Sequence, residues 1–521
     1  MSGQESENIR ELLESRARGY SEKEFLISAH DGRRLTYEEF NREVDLAAEL
    51  LLRLGVTKGR VVSLFLSNNV EYLIFYFACF KTGAWAGPVN ALLKSHEVAF
   101  IVNDSRACVI VTQPDLYPVV AEARRAMPSL AAVILAGGSA TESIDDAMDE
   151  SVVRYSLSEE GNGRSSSLAD AGISRDDEAM IIYTSGTTGR PKGVLLTHGN
   201  LLSNARQIGE WLGLGGEDRA LMIMPLFHVN ALMTTGLAAL HAGGSIVLAP
   251  RFRASLHWKL IAEHGVTYFG SVATMLALLN QTYPGGVPEG LDVSRLRFAL
   301  CGSAPVPVEV MKTFESLFPC PVIEGYGLSE STCRSTFNPP DERRRIGSVG
   351  LPIGNEVRVF DDEERELGPR EVGEIVLRGP NIMKGYFGNE DATREAFRSG
   401  WFHTGDLGYV DEDGFFYIVD RKSDMIIRGG ENIYPREIDE VLYRHPKVKD
   451  AATIGIPDPL YGEEVKAYVV LRSGQSASEQ ELIEFCRGHL ADFKCPRSVE
   501  FLEEIPKGPT GKLLKRMLSG G

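Results

Sequence analysis

The sequence predicts an α/β fold with a large N-terminal domain of parallel sheets flanked by helices, a strand-rich subdomain, and a small α+β C-terminal domain. Three observations predict it. Helical stretches alternate with short apolar runs in the first half, short strands with glycine turns follow, and a compact mixture of helices and strands comes last. The chain has 521 residues, of which 43% are hydrophobic, so it can build more than one packed unit.

The N-terminal prediction rests on the stretch between residues 35 and 248. Apolar runs at residues 61–66, 108–112, 131–135 and 245–248 are typical of buried strands and alternate with helical patterns. Residues 137–177 break this rhythm with glycine, serine and acidic side chains, which indicates a surface segment. A strand is predicted next, at residues 179–183.

The pattern of apolar runs and turn residues changes after residue 346. Short runs at residues 356–360, 373–377 and 415–419 predict a strand-rich subdomain that closes the large domain. Helices at 438–444 and 479–490, with strands at 451–456 and 464–471, predict a compact α+β unit after Arg421. We therefore expect a large domain over residues 1–420 and a small domain over residues 425–521.

Composition excludes several classes of protein. The formal net charge of −17 would repel nucleic acid and anionic membranes over most of the surface, so we expect no nucleic-acid partner. The most apolar run, residues 72–80, is cut by Lys81 and is too short to span a membrane. Residues 1–16 are polar rather than signal-like, and the seven cysteines have no metal-ligand spacing. We expect a soluble cytoplasmic protein without a zinc site.

The strongest chemical signal is the segment at residues 183–193, which reads YTSGTTGRPKG and follows the strand predicted at 179–183. Its small residues let backbone N–H groups approach phosphate oxygens, and its hydroxyls add donors. It is not a Walker loop, because Pro191 precedes Lys192 and Gly193 stands where a Ser or Thr would bind magnesium. A flexible turn has a similar composition, and the segments in the rest of the chain are what favour a phosphate-binding loop.

This loop resembles the phosphate-binding signature of the adenylate-forming superfamily, which includes acyl-CoA synthetases, luciferases and peptide-synthetase adenylation domains. Five later segments resemble its other motifs in order and spacing: GSAP at 302–305, EGYGLSE at 324–330, WFHTGD at 401–406, DRKSDMIIRGG at 420–430 and PKGPTGK at 506–512. The resemblance runs from about residue 35 to residue 516. The sequence is thereby identified as a member of this superfamily, in its acyl-CoA synthetase family of AMP-dependent CoA ligases.

The resemblance implies an ATP site and a role for each matching residue. Tyr326 would lie against the purine, Asp406 would bind the ribose hydroxyls, and Arg421 would reach the nucleotide. Thr184 and Glu330 would ligate Mg²⁺, for which hydroxyl and carboxylate oxygens are suitable ligands, and would act in catalysis with Lys512, which would contact the α-phosphate. The full implied ATP-binding set is Thr184, Ser185, Gly186, Thr187, Thr188, Gly189, Lys192, Gly302, Ser303, Ala304, Pro305, Glu324, Gly325, Tyr326, Gly327, Asp406, Arg421 and Lys512.

The resemblance also implies that the small domain is mobile and that it turns about a hinge at residues 421–424. Gly429 and Gly430 would line the path of the pantetheine arm of CoA. Ser423 occupies the pivot where many relatives carry Asp or Lys. A serine can absorb a torsion change, so this departure concerns the rate or balance of the rotation. ATP, Mg²⁺ and CoA are the expected cofactors and co-substrates, and the sequence leaves a homodimer open.

The residue at position 228 bears on which type of acid is activated. Peptide-synthetase adenylation domains hold an ammonium group with an aspartate after the segment that matches Pro225-Leu-Phe, whereas this chain has His228 there. His228 matches the gate residue of acyl- and aryl-CoA synthetases, with a packed core histidine as the alternative. A luciferase-like oxygenase step stays open. A non-enzymatic nucleotide-binding module would lack Lys512 or Glu330, and both are present.

The acyl pocket is expected around small and polar residues, namely His228, Asn230, Ser271, Ala273, Ala304 and Arg334. The small side chains leave room for a chain or a ring. Arg334 could pair with a second carboxylate of a dicarboxylic acid, although a surface or structural role is more common for such an arginine. We expect an acid, ATP and CoA to yield acyl-CoA, AMP and diphosphate through an acyl-adenylate. A fatty acid is the first candidate, an aryl acid such as a cinnamate or benzoate the second, and a short polar or dicarboxylic acid the third.

Overall fold

The computed structural model describes residues 6–137, 151–157, 168–184, 191–303, 306–508 and 513–518. The described strands, in chain order, are β1 (Glu24–Ser28), β2 (Arg34–Thr36), β3 (Val61–Phe65), β4 (Trp85–Pro88), β5 (Val109–Thr112), β6 (Ala132–Ala136), β7 (Val152–Tyr155), β8 (Glu178–Thr184), β9 (Lys192–Thr197), β10 (Arg219–Met222), β11 (Ser245–Leu248), β12 (Tyr268–Ser271), β13 (Phe298–Cys301), β14 (Val322–Tyr326), β15 (Thr336–Phe337), β16 (Leu351–Pro352), β17 (Glu356–Phe360), β18 (Gly373–Arg378), β19 (Gly385–Tyr386), β20 (Phe397–Arg398), β21 (Trp401–Val410), β22 (Phe416–Arg421), β23 (Ile426–Arg428), β24 (Glu431–Ile433), β25 (Val448–Asp458), β26 (Gly462–Leu471) and β27 (Ser498–Phe501).

The described α-helices are α1 (Ile9–Gly19), α2 (Tyr37–Arg53), α3 (Val70–Thr82), α4 (Ser95–Asp104), α5 (Tyr117–Ala123), α6 (His198–Trp211), α7 (Ala238–Ala242), α8 (Ala254–His264), α9 (Ala273–Thr282), α10 (Val308–Leu317), α11 (Glu390–Ala396), α12 (Pro435–Tyr443) and α13 (Glu479–Arg487). Ala231–Leu237 forms a π-helical segment, and short 3₁₀ turns lie at Arg124–Ala126, Ser329–Ser331, Asp492–Lys494 and Lys515–Met517. The predicted α/β class is confirmed.

Two large sheets form the first three quarters of the chain. One has nine strands in the order β16-β15-β14-β13-β12-β10-β11-β1-β2, and the other has eight in the order β19-β9-β8-β4-β3-β5-β6-β7. Their central strands run parallel, and antiparallel pairs occur only towards the edges, at β2, β15 and β16 in the first sheet and at β9 and β19 in the second. This arrangement confirms the parallel sheets expected from the alternation of strands and helices.

The apolar run at residues 72–80 belongs to helix α3, in which every residue is buried. Lys81 is 1% exposed, and its ammonium group donates to Asn41 Oδ1 at 2.7 Å and pairs with Asp45, so the one charge at the end of this run is neutralised. The run is therefore part of the protein core. In the described part of the chain no helix is both long enough and apolar enough to cross a membrane.

Two sequence predictions need adjustment. Residues 137–177, which we expected to be a surface segment, contain the short edge strand β7, parallel to β6. The strand predicted at 179–183 exists as β8, but it joins the parallel sheet on one side and forms an antiparallel hairpin with β9 on the other. The loop that carries the phosphate-binding signature connects the two strands of this hairpin.

The later parts of the chain form two smaller sheets in which most strand pairs are antiparallel. Strands β17-β18-β21-β20, with β22 paired to β21, make the expected strand-rich subdomain. Strands β24-β23-β26-β25, with β27 parallel to β26, pack with α12 and α13 around a separate apolar core that includes Ile426, Leu442 and Leu482. Arg436 at the start of α12 links this unit to β22, because its backbone N–H donates to Asp420 Oδ2 at 2.9 Å and its Nη1 donates to the Ile418 carbonyl at 2.7 Å.

Candidate active site

The candidate site lies at the carboxyl ends of three neighbouring parallel strands, β12, β13 and β14. Ser271 is in register with Cys301, and Cys301 is in register with Glu324. Ligands of open α/β sheets bind in the crevice outside these ends. The segments that follow the three strands therefore supply the side chains of the site.

Close backbone contacts fix the turns after β13 and β14. A Cβ atom on Gly302 would lie 2.7 Å from the carbonyl oxygen of Gly325, and one on Gly327 would lie 1.9 Å from the carbonyl oxygen of Cys333. Only glycine fits at these two positions. Ser303 has φ of 68°, a left-handed conformation that is uncommon for a residue with a side chain and that often marks functional sites.

Three residues of the implied nucleotide site meet at one carboxylate. The Tyr326 hydroxyl donates to Asp406 Oδ2 at 2.7 Å, and Arg421 Nε lies 3.0 Å from Asp406 Oδ1. Asp406 and Arg421 are also in register across β21 and β22. Burial raises the pKa of Tyr326, and the neighbouring Asp406 charge adds to the rise, so its hydroxyl stays a donor. The carboxylate is thus held ready to accept further hydrogen bonds from a ligand.

The second group of implied residues surrounds Glu330. The Tyr386 hydroxyl donates to Glu330 Oε1 at 3.0 Å, and the Lys192 ammonium lies 5.1 Å from the centre of the Tyr386 ring. Thr184 is in register with Lys192 across the β8–β9 hairpin. Thr184, Lys192, Tyr386 and Glu330 therefore form a continuous row of contacts.

The donor set of this row fits Mg²⁺. Burial raises the pKa of Glu330, and a bound cation would offset that effect by stabilising the carboxylate. The described residues contain no group of three or more His, Cys, Asp and Glu side chains that could hold a metal alone. Mg²⁺ commonly uses one or two carboxylates and completes its shell with substrate phosphates and water, so a single carboxylate and a hydroxyl are suitable.

Tyr386 is the residue of this row that sequence reasoning missed. It follows Gly385 in the two-residue strand β19, which pairs with β9. Its contact with Glu330 spans 56 positions in the sequence. The only local signal is a Gly-Tyr pair in a loop-like stretch, and such pairs are common in turns.

Glu324 is buried with 3% of its surface exposed, and burial raises its pKa to about 7. The Arg436 guanidinium of α12 opposes this rise. Glu324 Oε2 has no hydrogen-bond partner among the described residues. This carboxyl group therefore titrates near neutral pH at the place where the C-terminal unit approaches the site.

At the acyl side of the site, Asn230 connects several of the predicted residues. Its Nδ2 donates to Ser303 Oγ at 3.0 Å, and its Oδ1 accepts from Arg334 Nη2 at 3.4 Å and from Thr234 Oγ1 at 3.1 Å. Asn230 and Arg334 are 7% and 2% exposed. Arg334 is thus no surface residue, and its guanidinium lies inside the predicted acyl region.

His228 precedes this cluster by two residues. Burial lowers the pKa of its imidazole to about 4, so the ring is neutral at physiological pH. Its Nε2 has no hydrogen-bond partner among the described residues, and its ring lies 4.5 Å from that of Phe227, centre to centre. A neutral imidazole with an unused nitrogen suits a gate residue better than a satisfied core histidine.

Other predicted residues lie less directly in the site. Ser271 is 1% exposed, and its hydroxyl donates to the Leu300 carbonyl oxygen at 2.8 Å, while Ala273 begins α9. Gly429 and Gly430 form the exposed turn between β23 and β24, beside Tyr461. Ser423 is exposed between β22 and β23. Ser185, Gly186, Thr187, Thr188, Gly189, Ala304, Pro305 and Lys512 lie outside the described residues.

Comparison with known proteins identifies the class of this site. Residues 13–387 match the model of the AMP-binding enzyme family, and residues 437–512 match that of the AMP-binding enzyme C-terminal domain. The chain is 29% identical to the ATP-bound MatB structure from Rhodopseudomonas palustris, with 98% of each chain covered and a TM-score of 0.87. The two family models leave out residues 388–436, which include Asp406 and Arg421, whereas the structural match covers nearly the whole chain.

Two sequence relatives narrow the class. The chain is 36% identical over 509 residues to a sulfoacetate–CoA ligase of Cupriavidus necator, which covers 97% of this chain and 96% of the relative. It is 36% identical over 517 residues to a long-chain-fatty-acid–CoA ligase of Mycobacterium tuberculosis, with 98% of each covered. The chain therefore belongs to the AMP-binding enzyme family of the adenylate-forming superfamily and is an AMP-forming acyl-CoA ligase that uses ATP and CoA.

Proposed function

We propose that this ligase activates a compact polar acid in two half-reactions, the first of which uses Mg²⁺. The observation that carries the proposal is the polar composition of its acyl side, where Asn230, Ser303 and the buried guanidinium of Arg334 are hydrogen-bonded together. A long alkyl chain would leave the Arg334 guanidinium, whose Nε has no partner among the described residues, without further hydrogen bonds in an apolar environment, which costs free energy. A compact polar acid would complete the hydrogen bonds of this guanidinium.

In the first half-reaction the acid carboxylate attacks the α-phosphorus of ATP, and diphosphate leaves. Asp406 holds the ribose, Tyr326 lies along the purine, and Arg421 steadies the Asp406 carboxylate. Lys512 binds the α-phosphate and carboxylate oxygens, so that the reacting atoms are aligned. Thr184 and Glu330 would hold Mg²⁺, which supplies neutralisation of phosphate charge when it is bound. The residues of the 185–189 loop would donate hydrogen bonds to the phosphates.

In the second half-reaction the CoA thiolate attacks the acyl carbonyl of the adenylate, and AMP leaves. Gly429 and Gly430 form an exposed turn in this structure, and the proposal is that the C-terminal unit turns to bring them to the pantetheine arm. The turn would occur at residues 421–424, with Ser423 as the pivot, between a large domain of residues 1–420 and a small domain of residues 425–521. The separate apolar core of the C-terminal unit supports this division.

The proposed acid differs from the first candidate that the sequence predicts. The sequence predicts a fatty acid first, an aryl acid second and a short polar or dicarboxylic acid third. The polar cluster of Asn230, Ser303 and Arg334 favours the third choice. The sulfoacetate–CoA ligase of Cupriavidus necator acts on an acid of this kind, which supports the same class of acid, whereas the mycobacterial relative acts on fatty acids.

We also propose that the protein is located in the cytoplasm and that it forms a homodimer.

The test is diphosphate release from ATP and Mg²⁺ over fatty acids of graded length, benzoates, cinnamates, dicarboxylates, sulfoacetate and amino acids, with and without CoA. The proposal expects the fastest release with a short polar acid, a rise on addition of CoA, and a thioester product. Fastest turnover with a fatty or aryl acid would overturn the acid class. Release that CoA does not change would overturn the thioester step.

A further inference from the structure

We infer that Arg334 binds a second anionic group, a carboxylate or a sulfonate, on the acid that this enzyme activates. The inference rests on the proposed ligase function and deepens it, because it names the chemical feature that selects the substrate. It is carried by three properties of one guanidinium group: its burial, the absence of an ion pair with a described carboxylate, and its position.

The Arg334 side chain is buried and forms no ion pair with a described residue, although its charge counteracts the rise in the pKa of the buried Glu324 carboxyl. It is 2% exposed, its Nη2 makes one long hydrogen bond to Asn230 Oδ1 at 3.4 Å, and its Nε has no partner among the described residues. No carboxylate in the described ranges lies within 4.0 Å of its guanidinium. A guanidinium has five N–H donors in a planar fork that matches an anion with two oxygens. Most of its binding capacity is therefore free for a ligand.

The backbone of Arg334 is held in place by two buried amides. Its N–H donates to Asn204 Oδ1 at 3.1 Å, and its carbonyl accepts from Asn204 Nδ2 at 2.7 Å and from Asn381 Nδ2 at 3.2 Å. Two residues earlier, Thr332 adopts φ of 65° and donates through Oγ1 to the Asn381 carbonyl at 2.6 Å. Residues in such conformations persist where their surroundings fix them, often at ligand sites. The fold thus positions this cation firmly.

The position of the guanidinium is at the acyl side of the site. Nη2 lies 2.7 Å from the point that a Cβ of Gly302 would occupy, at the end of β13. Asn230 joins it to Ser303 in the same turn. The nucleotide-binding pair of Tyr326 and Asp406 occupies the end of the neighbouring strand β14 and the adjoining sheet. A second anion on the acid could therefore reach Arg334 while its reacting carboxylate faces the nucleotide.

Charge balance favours this role. An isolated buried cation is expensive, and a bound anion with matching hydrogen bonds offsets that cost. Two other roles make different predictions. A contact with the reacting carboxylate or α-phosphate would serve every acid equally, and a purely structural role, through the Phe337 ring that lies 5.3 Å from the guanidinium carbon, would affect stability rather than selectivity.

The experiment compares oxalate, malonate, succinate and glutarate with their monoamides, and sulfoacetate with acetate. For each acid, kcat/KM is measured by diphosphate release with CoA for the wild type, Arg334→Leu, Arg334→Lys and Arg378→Leu. Arg378 is a control because it is an exposed arginine paired with Glu356 away from the site. We expect the wild type to favour the dianionic member of at least one pair. Arg334→Leu should lower kcat/KM for that acid roughly 10- to 100-fold while sparing the singly charged partner.

Arg334→Lys should keep part of the preference, because it keeps the charge but loses the planar fork, and Arg378→Leu should behave as the wild type. An equal loss for both members of every pair, or an unchanged ratio, would overturn the inference. Thermal unfolding with AMP and each acid gives a second measurement without turnover. The preferred dianion should raise Tm in the wild type and not in Arg334→Leu; the same rise in both would also overturn it. Absence of diphosphate release with any acid would instead overturn the proposed function.

Discussion

The hydroxyl of Tyr326 and Oδ2 of Asp406 lie 2.7 Å apart, and this hydrogen bond joins the nine-stranded sheet to the sheet that contains β17, β18, β21 and β20. Arg421 Nε approaches the other oxygen of Asp406 at 3.0 Å. The carboxylate is therefore held from both sides, and little reorganisation is needed when a nucleotide binds. This relationship gives the first test of the ATP site.

Replacing Asp406 with Asn should weaken nucleotide binding through the ribose. The amide keeps the shape but loses charge-assisted hydrogen bonds, which should raise KM for ATP by roughly tenfold or more. The decisive measurement compares ATP with 2′-deoxy-ATP. The wild type should prefer ATP, and Asp406→Asn should reduce that preference. Asp413→Asn, a change at an exposed carboxylate, is the control. A preference that Asp406→Asn leaves intact would assign ribose binding elsewhere.

Tyr386→Phe should change the dependence of activity on Mg²⁺. The phenylalanine keeps the ring beside Lys192 but loses the hydroxyl that holds Glu330 Oε1 at 3.0 Å. A less ordered carboxylate should raise the Mg²⁺ concentration that gives half-maximal diphosphate release by roughly 3- to 10-fold. Tyr409→Phe, at a tyrosine stacked on Tyr417 in another sheet, is the matched control. A lower rate with the same Mg²⁺ midpoint would mean that Tyr386 acts only on structure.

Asp439 on α12 should make stability depend on pH. It is 7% exposed, and burial raises its pKa to about 7, against the effect of Lys515. The folded state therefore binds the proton more tightly than the unfolded state. The contribution of the Asp439 carboxyl to the free energy of unfolding is fully present below the pKa of the unfolded state. This contribution, on the order of 4 kcal/mol, is lost as pH rises to about 7.

Thermal unfolding of the wild type and Asp439→Asn between pH 5 and 9 measures this effect, since asparagine mimics the protonated form. The gain in Tm of the variant should grow between pH 5 and 7 and stay constant above. Asp492→Asn, at an exposed position of the same unit, should show no such gain. A constant difference between Asp439→Asn and the wild type at all these pH values would exclude Asp439 as the titrating group.

The sequence predicted the local elements well, because their patterns depend on residues close together in the chain. The run at 245–248 is a strand with the same bounds, Ser245–Leu248, and the helix predicted at 479–490 is Glu479–Arg487, which ends three residues earlier than predicted. The order of strands was beyond local patterns. β1 pairs with β11, more than two hundred residues later in the chain.

The residues of the candidate site fall into the same two groups, those that lie in local motifs and those whose contacts exist only in the folded chain. Motif residues such as Tyr326 and Asp406 were found because each lies in a recognisable segment. The contacts of Tyr386 with Glu330 and of Arg334 with Asn230 are made only in the folded chain, although the sequence already names Arg334 as a candidate partner for a second carboxylate. A sequence shows that an arginine is present, but its burial and the absence of an ion pair are properties of the packed structure.

Lys512→Ala should separate the two half-reactions. Loss of the ammonium removes charge stabilisation at the α-phosphate, so acid-dependent adenylation should fall by two orders of magnitude or more, roughly 3 kcal/mol of barrier. Thioester formation from supplied acyl-adenylate and CoA should be largely spared, since that step does not use the lysine. Lys507→Ala, at a lysine paired with Asp450, is the control. Equal loss in both half-reactions would contradict two separate arrangements of the small domain.

The most direct test of the central claim is the exchange of labelled diphosphate into ATP without CoA, with the best acid from the panel. Reversible formation of an acyl-adenylate predicts exchange that requires the acid and Mg²⁺, followed by AMP and acyl-CoA in equal amounts when CoA is added. Absence of exchange, together with ADP and phosphate as products, would contradict an adenylate intermediate and with it the account of this site.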